Sequence, residues 1–261
     1  MIAVIGIGYW GSKIVSLLKS KNLEVETIDI DNDITKIKSK NVIISTPART
    51  HKDITKTMLE LGKNVLVEKP SFINMKECEE IETVLKKTKG KFMCGHLFLN
   101  SPKLNYIKKT VKNISHIESR RLNWGRVQED INPIIHLAPH DISILDYLMD
   151  DIPIFIQKTP YHISKKSQPD YVTIDLTYMN GKTAQLQVGW YYNEKIRQVK
   201  IFADDTIIDF EGEDNLLDIS LSKFISYCHD DIEPITNFEH AKRVTHVLDM
   251  IQNENAIHRT K

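Results

Sequence analysis

Met1-Ile-Ala-Val-Ile-Gly-Ile-Gly-Tyr-Trp-Gly11 opens the chain and decides its fold. The apolar residues up to Ile5 predict a buried strand, and the amphipathic run from Ser12 to Leu18 predicts a helix. Between them lie Gly6, Gly8 and Gly11, in the G-x-G-x-x-G spacing. Such glycines allow, in turn, a tight bend after the strand, backbone approach to a pyrophosphate, and close packing of the helix. The stretch predicts dinucleotide binding, and the alternative is a glycine-rich turn without a ligand.

An acidic residue at the end of the next predicted strand bears on the choice of dinucleotide. Leu23 to Asp31 predicts that strand, and Asp29 lies 23 residues after Gly6. A carboxylate there can accept hydrogen bonds from the adenosine ribose and repels a 2′-phosphate, which favours NAD over NADP. Asp31 competes for this role, and a surface aspartate without a ligand is the alternative interpretation.

Composition excludes several function classes. The 261 residues carry 35 basic and 35 acidic side chains, which gives no general electrostatic reason to bind nucleic acid or an anionic membrane. Cys78, Cys94 and Cys228 are widely spaced, as expected of reduced thiols in a cytoplasmic protein. No apolar run approaches the length of a membrane span, and the N-terminal run is unlike a signal peptide. No metal site is predicted.

Strands and helices alternate through the first third of the chain. Strands are predicted at 41–45, 64–67 and 91–94, with helices at 50–61 and 75–87. About a dozen residues separate the second strand from the third, so any helix there, around 33–38, must be very short. This order predicts an α/β fold whose dinucleotide-binding Rossmann domain, residues 1–95, has a doubly wound parallel sheet.

The pattern changes in residues 96–261. Helices are predicted at 103–111, 133–149, 221–228 and 238–252, and strands at 114–123, 171–178, 183–190, 197–203 and 206–210. Asn180-Gly181 lies between two alternating runs and predicts a hairpin. The second part is therefore predicted to be an α+β domain for substrate binding and oligomerisation, with a mainly antiparallel open sheet.

Glu68-Lys69-Pro70 is the first candidate for chemistry. It follows a predicted parallel strand, on the same sheet edge as the glycine loop, so a lysine there could lie close to a nicotinamide. Partial burial would lower its pKa and allow acid/base catalysis near neutral pH. The alternative is a surface lysine in a turn.

His136-Leu-Ala-Pro-His140-Asp141 is the second candidate. A spacing of four places the two histidines on one helical face, if the helix continues through Pro139 rather than beginning near it. Such a pair can ligate zinc, but the glutamate of the metalloprotease pattern is replaced by Leu137 and no third ligand is evident. An acid/base role for His140 is the preferred interpretation, and a structural histidine is the alternative.

A polar loop precedes these histidines. Arg126 and Asn132 lie in or at the end of the stretch 124–132, where they could bind a phosphate or sugar hydroxyls. The alternative is a solvated loop. Trp190, Tyr191 and Tyr192 end a predicted strand, where core packing or a subunit contact is the favoured interpretation.

Taken together and in order, the motifs resemble the Gfo/Idh/MocA oxidoreductases, the glucose–fructose oxidoreductase and inositol dehydrogenase family. The resemblance covers nearly the whole chain and is greatest to the branch of nucleotide-sugar dehydrogenases from surface-polysaccharide pathways. It rests on the glycine loop with Tyr9-Trp10, Ser45-Thr46-Pro47 followed by His51, Val65 to Pro70, Gly95-His96 leading to Pro102, Leu137 to Asp141, Gln187 to Trp190, Lys195 to Arg197, and the last helix.

The resemblance implies hydride transfer between a nicotinamide and a ring hydroxyl or keto carbon of a sugar. It implies that Lys69 and His140 are the catalytic acid/base groups and that the bond before Pro70 is cis. Residues expected to line NAD are Gly6, Gly8, Tyr9, Trp10, Gly11, Asp29, Thr46, Pro47, His51 and Glu68. Residues expected to bind the sugar or nucleotide sugar are Lys69, Arg126, Asn132, His136 and His140. A homodimer or homotetramer is also implied.

Two departures from the family pattern keep other functions open. Many relatives have an aspartate where this chain has His136, and the connection between the second and third strands is short. The alternatives are a catalytically impaired NAD-binding sensor or partner protein and a non-redox NAD-dependent glycosidase or lyase. A metal-dependent hydrolase using His136 and His140 ranks last.

Overall fold

The computed structural model describes residues 1–29, 32–124, 131–164 and 168–254. The chain divides into two compact units. The first contains Met1–Leu97 and Asn215–Thr245, and the second contains Phe98–Asp214 and His246–Lys261. Within the described residues, no helix has the length and apolar composition that a membrane crossing requires.

The first unit contains the predicted doubly wound parallel sheet. Its strand order is β2-β1-β3-β4-β5, and every neighbouring pair is parallel. The strands are β1 (Ile2–Ile5), β2 (Val25–Ile28), β3 (Asn41–Ile44), β4 (Asn64–Val67) and β5 (Phe92–Cys94). All residues of β1, β3 and β4 are buried, which explains why these strands are nearly continuous apolar runs.

Three helices of the first unit come from the N-terminal segment: α1 (Tyr9–Ser20), α2 (His51–Glu60) and α3 (Met75–Leu85). The described residues of the β2–β3 connection contain one 3-10 turn, Ile34–Lys36, which agrees with the short helix expected there. Glu26 of β2 accepts hydrogen bonds from the Ser39 amide and hydroxyl at 3.0 and 2.8 Å, so the strand itself fixes this short connection.

The second unit is built on a six-stranded sheet of order β11-β10-β6-β9-β8-β7. Only β6 and β9 are parallel among its neighbouring pairs, so the predicted mainly antiparallel sheet is confirmed. Its elements are α4 (Pro102–Thr110), β6 (Ile114–Trp124), α5 (Pro133–Met149), β7 (Pro153–Tyr161), β8 (Tyr171–Tyr178), β9 (Thr183–Gly189), β10 (Tyr191–Ala203) and β11 (Thr206–Phe210).

Alternation of side chains in this sheet places one face against a helix. In β8 and β9 every second residue is buried, and α5 packs on β6, β8 and β9. The β8–β9 hairpin turns at Gly181, which has a φ of +79°, and the Gly181 amide donates to the Tyr178 carbonyl at 3.0 Å. The Asn180-Gly181 turn is therefore where the sequence predicts it.

Strand β7 is absent from the sequence prediction. It lies at the edge of the sheet, and most of its side chains are exposed. Pro153 and Pro160 both lie in it, and proline within a strand is tolerated at an edge. Neither alternation nor a continuous apolar run marks such a strand.

The chain returns to the first unit after β11. Two helices follow, α6 (Leu216–Asp230) and α7 (Phe238–Gln252). Leu221 and Phe224 of α6 pack with Ile14 and Leu18 of α1, on the sheet face that also receives Ile2 and Val4. Ala241 of α7 packs in the cluster on the opposite face, with Ala3 and Ile5.

The sequence pattern predicts a domain boundary after residue 95, with all later residues in the second domain. The structure places a boundary after Leu97 and groups Asn215–Thr245 with the first unit. The physical reason is burial, because Phe224 is 0% exposed and completes the core beside α1. Helical periodicity in the sequence predicts α6 and α7, but it does not indicate which sheet these helices pack against.

Candidate cofactor and active site

Each glycine of the N-terminal loop meets a different local requirement. Gly6 has a φ of +86°, and a Cβ there would lie 2.8 Å from Thr46 Cγ2. Gly11 packs so closely on the loop that a Cβ would overlap the Gly6 carbonyl oxygen. Gly8 differs from both, since a Cβ there would meet no atom of the described residues within 4 Å. The backbone at Gly8 therefore borders open space, where another group can approach it.

The N-terminus of α1 follows this open backbone. Gly8 is the N-cap residue, no side chain caps the helix, and the first turn has no acidic residue. The first amides of a helix lack intrahelical acceptors and mark the positive end of its dipole. The loop and helix start thus fit the pyrophosphate of a dinucleotide. Tyr9, at the first helical position, is 64% exposed, and its hydroxyl accepts a hydrogen bond from Lys13 at 2.9 Å.

Asp29 is exposed directly after β2, the strand next to β1. Its backbone amide donates to the Asn32 side-chain oxygen at 2.7 Å, which links the end of the strand to Asn32. Asp29 thus lies where a ribose-binding carboxylate is expected. The competing candidate, Asp31, lies outside the described residues.

A short hydrogen bond links the glycine loop to the end of β4. The Trp10 indole N–H donates to Glu68 Oε1 at 2.6 Å, and Glu68 is only 8% exposed. Burial raises the pKa of Glu68, whereas the hydrogen bond from Trp10 and the positive charge of Lys69 act to lower it. Gly95 leaves room for this carboxylate, since a Cβ there would lie 3.0 Å from Glu68 Oε2.

Lys69 is half-buried in the turn after β4, and the Lys69–Pro70 peptide bond is cis, as the resemblance implies. The His51 ring contacts the backbone of this turn. Its Nδ1 lies 2.7 Å from the Pro70 carbonyl oxygen, and its Nε2 lies 2.8 Å from the Thr46 carbonyl oxygen. His51 is 1% exposed, and burial lowers its pKa despite the two carbonyl contacts. His51 thus joins the β3 and β4 loops, a structural role that the motif alone does not reveal.

Thr46 and Pro47 begin the loop after β3 and lie beside Gly6. Thr46 is half-buried, and its hydroxyl accepts a hydrogen bond from Thr50 at 2.8 Å, whereas Pro47 is exposed. The Ser45 hydroxyl donates to the Gly6 carbonyl at 2.7 Å and so ties this loop to the glycine loop. The first unit therefore gathers the proposed cofactor residues on the carboxyl edge of its sheet.

In the second unit, α5 continues through Pro139 and carries both His136 and His140. Asn132 is its N-cap, and the Asn132 side chain accepts from the Ile135 amide at 3.0 Å. The Asn132 side chain, expected to bind substrate, is thus also used to begin the helix. Arg126, the other candidate from this loop, lies outside the described residues.

The two histidines of α5 have different surroundings. His136 Nδ1 accepts a hydrogen bond from the Trp190 indole N–H at 3.1 Å, so a neutral His136 ring carries its proton on Nε2. The His140 ring meets Phe98 edge to face, with centroids 5.5 Å apart. Both histidines are half-buried.

Asp141, directly after His140, anchors this turn of α5 to β6. Its carboxylate accepts from Arg121 Nη2 at 2.7 Å, from Arg121 Nε at 2.9 Å and from the Ser119 hydroxyl at 2.8 Å. The sequence motif predicts a role for His140 but does not indicate these contacts of Asp141. An acid inside an apolar helical run is the signal that could have revealed it, because a buried carboxylate needs a partner.

Comparison with known proteins gives one family model and several relatives. Residues 24–96 match the model of the Gfo/Idh/MocA family, described as an oxidoreductase family with an NAD-binding Rossmann fold. The chain is 21% identical over 229 residues to 2,7-anhydro-N-acetylneuraminate hydratase from Escherichia coli K12, an alignment covering 73% of this chain and 62% of that one. It is 23% identical over 180 residues to UDP-N-acetylglucosamine 3-dehydrogenase from Acidithiobacillus ferrooxidans, covering 68% and 57%. The chain thus spans less than two thirds of either curated relative.

Solved structures share the whole fold. The UDP-N-acetylglucosamine 3-dehydrogenase structure from Acidithiobacillus ferrooxidans superposes with a TM-score of 0.86 at 17% identity, covering 96% of this chain and 95% of that one. Scyllo-inositol dehydrogenase from Lactobacillus casei, solved with NAD(H) and scyllo-inositol, gives a TM-score of 0.81 at 13% identity, covering 97% and 95%. The match of residues 24–96 to the Gfo/Idh/MocA model and the shared fold agree with the resemblance that the ordered motifs indicate.

Proposed function

We propose that the protein is an NAD-dependent oxidoreductase acting on a ring hydroxyl or keto carbon of a sugar, and that the sugar is nucleotide-linked. The observation that carries this proposal is the 2.6 Å hydrogen bond from Trp10 to Glu68. It joins the dinucleotide loop directly to the turn that presents Lys69. A candidate acid/base group and a candidate cofactor loop thus belong to one sheet edge.

In this proposal the nicotinamide, when bound, accepts a hydride from the sugar carbon or returns one to it. Lys69 takes the proton from the reacting hydroxyl or gives it to the keto oxygen through Nζ. The buried carboxyl group of Glu68 lies next to Lys69 in the chain, and His51 contacts the carbonyl of the following Pro70. These contacts fix the backbone on either side of Lys69.

His140 is assigned the second acid/base role on the resemblance alone. His136, one turn earlier, offers a proton donor at Nε2 where many relatives offer a carboxylate acceptor. We therefore expect His136 to donate to a sugar hydroxyl rather than to raise the basicity of a neighbouring group. Asn132 and Arg126 complete the proposed substrate contacts.

NAD is preferred to NADP in this proposal because Asp29 is an exposed carboxylate directly after β2. The nucleotide-sugar substrate is supported by the similarity to UDP-N-acetylglucosamine 3-dehydrogenase, found both in sequence and in fold. A homodimer or homotetramer and a cytoplasmic location, both expected from the sequence, belong to the same proposal.

The test is to incubate purified protein with NAD or NADP and a panel of UDP- and dTDP-linked sugars, and to follow reduced-cofactor absorbance. Lys69→Ala should lower turnover by about 100- to 10,000-fold, the usual contribution of a general acid/base, and leave NAD affinity unchanged. Lys76→Ala, at an exposed position in α3, is the matched control and should keep full activity. Failure to bind either NAD or NADP would refute the proposal.

A non-redox reaction is the second candidate, because one curated relative is a 2,7-anhydro-N-acetylneuraminate hydratase. Sugar conversion with no net change in cofactor absorbance, detected by mass spectrometry of the products, would favour this candidate. NAD binding with no turnover on either class of sugar, whether or not Lys69 is replaced, would favour a sensor or partner protein instead.

A further inference from the structure

A buried cluster of one thiol and two imidazoles lies in the first unit. Cys94 ends β5, His96 follows two residues later, and His240 lies in the first turn of α7. The three residues are 0%, 2% and 1% exposed. The Asn237 side chain accepts from the His240 amide at 3.1 Å, as an N-cap does, and so fixes where His240 enters the cluster.

Three possible ligand atoms converge on one point. Cys94 Sγ lies 3.3 Å from His96 Nδ1, and His96 Nδ1 lies 2.9 Å from His240 Nε2. All three atoms lie within 4.8 Å of one another. A single ring nitrogen has either one proton or one lone pair, so His96 Nδ1 satisfies one of its two neighbours well and the other poorly. An ion between the three atoms could be coordinated by all of them at once.

We propose that Cys94, His96 and His240 form a site for a divalent transition-metal ion, with Zn²⁺ as the fitting ion. Bonds of about 2.0–2.1 Å to nitrogen and about 2.3 Å to sulfur give tetrahedral edges of about 3.4 Å between nitrogens and about 3.6 Å between nitrogen and sulfur. The corresponding distances are 2.9 and 3.3 Å, each within about 0.5 Å of its tetrahedral edge, so small side-chain shifts bring these two pairs to coordinating distance. The ring planes cross at 89°, which keeps the two imidazoles apart as they share one ion.

The fourth ligand of this site is a water molecule. Thr236 is hydrogen-bonded to a member of the cluster: its carbonyl oxygen accepts from the Cys94 amide at 2.8 Å. Its hydroxyl is buried and makes no hydrogen bond within the described part of the chain. A metal-bound water would be a donor for such a hydroxyl. Buried polar groups of this kind otherwise cost stability.

The ion would join two segments that are far apart in sequence, and its binding would be coupled to folding. Metal binding requires the Cys94 thiolate and accepting nitrogens on both histidines, so it releases the thiol proton to solvent. The site also adjoins Glu68, since Gly95 follows Cys94 and its amide donates to the Val67 carbonyl at 2.8 Å. A metal here would stabilise the edge of the sheet that presents Lys69.

The experiment measures metal binding by the full-length protein, without any substrate. Metal content is measured after purification, and the chelated protein is then titrated with Zn²⁺ and with Co²⁺. We expect one ion per chain, a thiolate-to-cobalt charge-transfer band, and proton release on binding. Cys94→Ser and His240→Gln should each weaken Zn²⁺ affinity by at least about 100-fold.

Matched controls test the thiol and the imidazole separately. Cys78→Ser removes another fully buried thiol, whose pKa is raised by burial to about 12, and His229→Gln removes an exposed imidazole of α6. Both controls should bind the metal like the wild type. If a ligand variant unfolds, the charge-transfer band of the wild type still decides, because it requires a cysteine ligand.

The following outcomes would overturn the proposal. They are the absence of stoichiometric Zn²⁺ or Co²⁺ binding, unchanged affinity in folded Cys94→Ser, and a cobalt complex without the thiolate band. Loss of binding in His136→Ala with retention in Cys94→Ser would also contradict it, because the metal would then lie on α5. None of these outcomes depends on catalysis, so the proposed oxidoreductase activity stands or fails separately.

Discussion

Replacing Asp141 by asparagine is expected to destabilise the second unit by about 3–5 kcal/mol, the usual cost of removing one partner of a buried ion pair. The Arg121 and Asp141 side chains are only 5% and 1% exposed. Three N···O contacts of 2.7, 2.9 and 3.1 Å join them. Asparagine nearly preserves the volume but removes the negative charge, so the guanidinium stays buried without a counter-ion.

Urea denaturation followed by circular dichroism measures this loss. With a urea dependence of about 3 kcal/mol per M, the midpoint should fall by about 1–2 M. The matched control is the double variant Arg121→Met, Asp141→Leu, which removes both charges. Its free energy of unfolding should lie within about 1 kcal/mol of the wild-type value, because no charge is then buried without a counter-ion. Because Asp141 follows His140, turnover should fall in the single variant even where it remains folded.

Two results would refute this reasoning. A loss below about 1 kcal/mol for Asp141→Asn would place the pair in the range of exposed salt bridges, against its observed burial. A double variant as unstable as Asp141→Asn would show that packing or the Ser119 hydrogen bond, rather than the unpaired Arg121, accounts for the loss.

Three further predictions concern the first unit. Gly8→Ala should fold normally yet weaken NAD binding in a fluorescence titration, whereas Gly11→Ala should also lower the melting temperature, because only the Gly11 Cβ meets backbone. Equal effects of the two changes would contradict the loop geometry. Burial raises the folded-state pKa of Glu68 above its ordinary value of 4.5. The wild type should therefore lose stability relative to Glu68→Gln as the pH rises from 4.5 towards neutrality. Thermal melts of both proteins across that pH range check this. Asp29→Ser should lower the ratio of NAD affinity to NADP affinity in binding assays. An unchanged ratio would show that the Asp29 carboxylate does not determine the choice of cofactor.

Elements with a strong local pattern could be predicted from the sequence. The bounds of β4, α5, β8, β11 and α7 agree with the predicted ranges, because buried apolar runs, alternation and helical periodicity mark them. The glycine loop could be interpreted residue by residue, because the requirement at each glycine is local. Gly6 and Gly11 lie against nearby backbone, whereas Gly8 borders open space. The short β2–β3 connection followed from chain length alone.

Features that depend on distant partners could not be predicted. His51 belongs to a motif, but only the fold brings both its ring nitrogens to backbone carbonyls. The partner of Asp141 lies on a strand 20 residues earlier. His96 and His240 are 144 residues apart, and no spacing rule joins them. Edge strand β7 had too few buried side chains to show a period.

The return of residues 215–245 to the first unit has a consequence for biosynthesis. The ribosome delivers Met1–Leu97 and then all of Phe98–Asp214 before Phe224 emerges. Until then the apolar side chains of Ile14 and Leu18 lack the helix that covers them. Residues 98–214 are therefore made while one face of the Rossmann sheet still lacks its covering helix, a period in which exposed apolar surface favours aggregation or chaperone binding. A truncation before residue 215 should for the same reason destabilise the N-terminal sheet, although every one of its strands would be present.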